Sequence, residues 1–136
     1  MTTATLTKRA VRRSAGKPLR LAKTNTPAND AAAIRQLRLL LNMPRPIFAR
    51  LMGCSERALA NWETGRPIQD IYKSRLNELR KLRDELAEVT EPENIGAWFT
   101  APNEEFDGMK PIELIERGEM FRIWRMVFFL KSGTPA

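Results

Sequence analysis

The chain holds no histidine and one cysteine, so the side chains that most often move protons or attack carbonyl groups near neutral pH are almost absent. Cys54 falls on the expected inward face of a pair of short helices. No glycine-rich phosphate loop is present, and the carboxylates form no recognisable acid/base pair. A Cys/His zinc site cannot be assembled from this composition. No catalytic residue, metal or cofactor is therefore expected. What the residues offer is recognition chemistry. Arg57 carries a planar fork able to grip guanine O6 and N7, Asn61 can pair with an adenine edge, and Glu56 can accept from cytosine N4. Taken alone, Glu56 and Arg57 read rather as a solvated first turn. Arg45, Arg50 and Arg66 surround them with positive charge suited to phosphates, which position a protein without reading sequence.

These groups need a scaffold that presents a short helix outward. Pro44 and Pro46 break a first helix, expected to be capped by Asn29 or Asp30 and to carry Ile34, Leu37, Leu40 and Leu41 at helical spacing. The two prolines suit the first turn of a second helix, Arg45 to Met52, which Gly53 can close by taking positive φ. Ser55 caps a third helix running to about Thr64, with Gly65 and Pro67 beyond. Ala49 supplies the small residue where the two helices cross. Phe48, Met52, Cys54, Leu59 and Trp62 point inward. A longer helix is expected over Asp70 to Val89, with Tyr72, Leu76, Leu79, Leu82 and Leu86 on one face. Thr90-Glu91-Pro92-Glu93 reads as a capping box opening a helix through Trp98. Pro111 opens a short helix closed by Gly118, and residues 119–130 form a last amphipathic helix. No strand-like alternation occurs, so the expected fold is all-α.

Charge is segregated along this scaffold. The net charge is +7, and residues 1–29 hold seven bases and no acid. Residues 34–68 carry six arginines against Glu56 and Glu63, while 84–119 carry eleven acids against Lys110 and Arg117. One end suits a polyanion and the other does not, the asymmetry of a chain whose two surfaces have different partners. The single cysteine excludes a disulfide framework and makes a reducing cytoplasm the expected setting. No apolar run is long enough to span a membrane.

Residues 34–68 resemble the Xre family of helix-turn-helix regulators. The resemblance runs through Ile34-Arg35-Gln36-Leu37-Arg38, Phe48-Ala49-Arg50-Leu51-Met52-Gly53 and Asn61-Trp62-Glu63-Thr64-Gly65-Arg66. It implies that Ser55, Glu56, Arg57 and Asn61 project from a recognition helix into the major groove of double-stranded DNA, with Arg45, Arg50 and Arg66 on phosphates. Where that family has Ser-Gln opening the second helix, this chain has Pro44-Arg45, which replaces a glutamine contact with an arginine.

Residues 95–133 resemble the toxin-binding domain of the Xre/MbcA/ParS antitoxins, through Trp98, Thr100-Ala101-Pro102-Asn103, Phe106-Asp107-Gly108, the run from Lys110 to Glu119, and Ser132-Gly133. The family usually has Thr-Pro-Asn where this chain has Ala101-Pro102-Asn103. Such antitoxins are encoded beside a RES-domain toxin that degrades NAD, block it by binding, and repress their own promoter. The resemblance implies toxin contacts from Lys110, Glu113, Glu116, Arg117, Ser132 and Gly133, each also readable as ordinary surface. Pro102, Asn103, Gly108, Pro111 and Gly118 are expected to shape the backbone. Trp98 and Trp124 are expected in the core or a dimer interface.

The organisation that follows is a flexible basic arm over 1–29, a DNA-binding helix-turn-helix domain over 30–69, a connecting helix over 70–89 and a toxin-binding domain over 90–136. A homodimer is expected, because paired half-sites add affinity and fix spacing. The alternative is a stand-alone regulator whose C-terminal module dimerises or binds another protein.

Overall fold

The computed structural model describes residues 27–133; the basic arm, except its last three residues, lies outside them. The described residues are all-helical, in the order α1 (Pro27–Leu40), α2 (Arg45–Met52), α3 (Glu56–Glu63), α4 (Asp70–Leu86), α5 (Pro92–Phe99), a 3-10 turn (Glu104–Phe106), α6 (Pro111–Glu116) and α7 (Met120–Ser132). No helix among them is long and apolar enough to cross a membrane.

The local chemistry of the first three helices follows the sequence closely. Pro44 and Pro46 sit at the start of α2, and Gly53 closes it in the left-handed region at φ 75°, donating its N–H to the Ala49 carbonyl at 2.8 Å. The Ser55 hydroxyl accepts from the Ala58 N–H at 3.0 Å, satisfying one of the donors left open at the start of α3. Ser55→Ala is expected to cost about 1 kcal/mol of stability, read from denaturant unfolding.

Three expectations need correction. The first helix begins at Pro27, so Asn29 and Asp30 lie inside its first turn; proline suits that start, and Asp30 complements the positive helix end. The long helix ends at Leu86 rather than Val89. Thr90 still donates to the Leu86 carbonyl at 2.9 Å, so it belongs to the closing turn of α4 and cannot cap α5. The cap falls to Glu91, which makes no side-chain bond there, and the expected capping box is absent. Such an acid-to-backbone bond forms at α6 instead, where the Glu113 carboxylate accepts from the Lys110 N–H at 2.9 Å.

One continuous core joins the regions. Its buried residues run from Ile34 in α1 through Phe48, Leu59 and Leu79 to Ile112 and Val127, so the boundaries drawn at 69/70 and 89/90 interrupt no packing. Helix α2 packs on both α3 and α6, which sets the C-terminal region directly against the helix pair. Leu40, counted with the apolar stripe of α1, is instead exposed. Gly96 of α5 lies against the backbone just past α1, where an added Cβ would lie 1.9 Å from the Leu41 carbonyl oxygen. Helix α7 is fastened to α4 by the Trp124 indole, which donates to Glu78 at 3.0 Å, and by Lys131, which pairs with Glu85 and Glu88.

Candidate functional site

Helix α3 divides cleanly into two faces. Leu59, Trp62 and Glu63 are buried, while Glu56, Arg57 and Asn61 are exposed on the opposite side, beside the exposed cap Ser55. Trp62 is fixed from below by the Tyr72 ring, with centroids 4.9 Å apart. Among the described residues neither the Arg57 guanidinium nor the Asn61 amide is engaged by another side chain. Both are therefore presented outward from a helix whose inner face is locked. Arg66 is also exposed, just past the end of α3.

The sequence reading missed what stands behind this helix. Glu63 is a buried carboxylate, its side chain 1% exposed, and two arginines converge on it. Arg38 holds both oxygens, through Nε to Oε2 at 2.7 Å and Nη2 to Oε1 at 3.1 Å. Arg45 donates to Oε1 from Nε at 3.0 Å and from Nη2 at 2.9 Å. Arg35 donates to the Glu63 backbone carbonyl. Burial by itself would push this carboxyl upward, but the hydrogen bonds and charges of Arg38 and Arg45 outweigh it and hold Glu63 below its ordinary value. Arg45 keeps 47% of its side chain exposed, so it is oriented by Glu63 and still reaches solvent. The available signal was an acid within an otherwise apolar helix face, four residues after Leu59 and next to Trp62.

Arg50 and Glu116, assigned on the resemblances to DNA and to a protein partner, bond each other. Nε meets Oε2 at 2.7 Å and Nη2 meets Oε1 at 2.9 Å, a bidentate pair linking α2 to α6. The hydrogen bonds raise the Arg50 pKa and lower that of Glu116. Both groups are partly exposed, so the pair adds little stability. Either group must leave its partner before it can contact anything else.

The other expected partner contacts cluster on α6 and at the end of α7. Lys110 caps α6, Glu113 spends its carboxylate on the Lys110 N–H, and Arg117 closes the helix with Nε 3.5 Å from Glu119. Ser132 ends α7, its hydroxyl donating to the Phe129 carbonyl at 3.2 Å, and Gly133 follows at φ 77°. The loops on either side of α6 are shaped as their residues imply: before it, Asn103 Oδ1 accepts from the Glu105 N–H at 2.8 Å and Gly108 takes φ 86°, and after it Gly118 takes φ 80°. Trp98 packs half-buried against Phe99 and Phe106. Cys54 is half-buried, and burial pushes its thiol up to about 11, which keeps it protonated and unreactive.

Comparison with known proteins decides between the regulator and antitoxin readings at the level of family. The chain is 31% identical over 85 residues to the mycobacterial cidal antitoxin MbcA of Mycobacterium tuberculosis and Mycobacterium bovis, an alignment spanning 62% of this chain and 75% of the relative. This chain belongs to the MbcA antitoxin family. A probable mycobacterial cidal antitoxin of M. tuberculosis is 33% identical over 72 residues, covering 51% of this chain and 59% of that protein. A chain in the crystal structure of the M. tuberculosis MbcT–MbcA toxin–antitoxin complex superposes with a TM-score of 0.63 at 26% identity, covering 78% of this chain and 96% of that one. No protein-family model matches the sequence.

Proposed function

We propose that this chain neutralises a RES-type, NAD-degrading protein toxin by direct binding in the cytoplasm, and that it represses its own promoter by reading double-stranded DNA as a two-fold dimer. The observation that carries the antitoxin part is the superposition on a chain of a toxin–antitoxin complex over 96% of that chain's length. The RES-type partner rests on the resemblance of residues 95–133. Lys110, Arg117, Ser132 and Gly133 are candidate contacts there, with Glu113 and Glu116 available only if they release Lys110 and Arg50.

The DNA-reading part is supported by the two-faced α3. Ser55, Glu56, Arg57 and Asn61 lie outward for base edges, and Arg45 and Arg66 flank them for phosphates. Arg57→Ala is expected to relax specificity at one base pair per half-site, by about 1–3 kcal/mol in selection or binding assays. Arg66→Ala should instead weaken binding to all sequences alike and reduce the log–log salt slope by about 0.9. A uniform loss from Arg57→Ala would make that residue a phosphate contact.

The direct test is purification of the tagged protein from its own cells in high salt, which strips DNA but leaves a buried protein interface in place. Recovery of a stoichiometric RES-type companion is expected. Recovery of this chain alone while that companion is expressed would favour the stand-alone regulator.

A further inference from the structure

Helix α7 carries an edge that the fold does not cover. Its inward residues Ile123 and Val127 are buried, whereas Phe121 and Phe128 are 62% and 64% exposed. At 3.6 residues per turn Phe121, Arg125 and Phe128 share one edge, with the rings about 10 Å apart along the axis. The helix is held from behind by the Trp124–Glu78 hydrogen bond and by Lys131 between Glu85 and Glu88, so the edge faces outward in a fixed orientation. An apolar groove of about 350 Å³ opens beside Phe128, lined by Trp124 and Val127.

The charge of α7 restricts what can cover this edge. The helix has three cations and no acid. Arg122 is bonded to Glu119 at 2.9 Å and lies 3.7 Å from Asp107, and Lys131 is paired as above. Arg125 is exposed and has no ion-pair partner among the described residues. A second copy packed antiparallel across a two-fold axis would match Phe121 with Phe128 but bring the two Arg125 groups together at the midpoint. A different protein that sets a carboxylate between two apolar pockets satisfies all three side chains at once.

We infer that the Phe121–Arg125–Phe128 edge of α7 is the docking helix for the toxin, seated in a cleft with two apolar pockets about 10 Å apart and a carboxylate between them. This rests on the antitoxin reading above. Two aromatic rings and an arginine on a pre-oriented helix are the side chains in which binding energy concentrates. They also differ from the residues assigned by resemblance, several of which are engaged within the chain.

The test co-expresses the full chain with the RES-type toxin proposed as its partner and measures affinity by calorimetry, with the mass and melting temperature of the free chain as controls. Phe121→Ala, Phe128→Ala and Arg125→Glu should each weaken toxin binding more than tenfold and leave both controls unchanged, because all three side chains are exposed. If the wild type binds and the three variants bind within twofold of it, this docking edge is wrong while the antitoxin reading stands. A fall in the mass of the free chain with Phe121→Ala or Phe128→Ala would make the edge a contact between copies and overturn the proposal. Failure of the wild type to bind would remove the antitoxin reading and the docking edge together.

Discussion

Gly96→Ala will destabilise this protein strongly, although alanine in a helix interior ordinarily gains about 1 kcal/mol over glycine. Gly96 lies within α5, and its missing side chain is where the Leu41 carbonyl just past α1 comes to rest. A Cβ there would lie 1.9 Å from that oxygen and 3.0 Å from its carbon. Neither atom belongs to a side chain that can turn away, so α5 must separate from the turn that follows α1. Overpacking costs about 1–3 kcal/mol, and a backbone obstacle puts this case at the upper end or beyond. The expected net loss is about 3 kcal/mol, a fall in Tm of about 10–20 °C for a domain of this size. Circular dichroism melting checks it directly. A Tm at or above that of the wild type would show that α5 does not meet that turn in this way.

Glu63→Gln is the second large effect. The substitution keeps the shape but leaves the Arg38 guanidinium, only 18% exposed, and Arg45 without their counter-charge. Breaking such a buried pair by removing one partner costs about 3 kcal/mol, because the remaining charge stays desolvated. The pH dependence follows from the lowered Glu63 pKa. Folding favours the deprotonated carboxyl, so its contribution is complete above the ordinary glutamate range and is lost as pH falls through the folded-state value. The stability gap between wild type and Glu63→Gln should therefore be widest near neutrality and close in acid. A gap that stayed constant from neutral pH into the acid range would mean that the charge of Glu63 is not what holds Arg38 and Arg45.

Much of the fold was legible in the sequence because punctuation and periodicity agreed. Pro44, Gly53 and Ser55 each have a conformational preference that works at one kind of position, and each occupies that position. Thr90 misled because its capping-box pattern is local, whereas its N–H had already been claimed by Leu86. The outward set on α3 was readable from helical spacing. The roles of Glu63 and Gly96 were not, since both depend on what another element brings up: Arg38 from α1 and Arg45 from α2 in one case, the Leu41 carbonyl in the other. Arg50 and Glu116 show the same limit from the other side. Each has the chemistry for an external contact, and their pairing across 66 residues of sequence is visible only in three dimensions.

The most direct measurement is growth of bacteria in which the RES-type toxin proposed as the partner of this chain is induced alone or together with it. The account predicts that the protein halts growth and depletes NAD when expressed alone, and that co-expression of this chain restores both. Unrelieved growth arrest with this chain present at equal or greater soluble amount would contradict it.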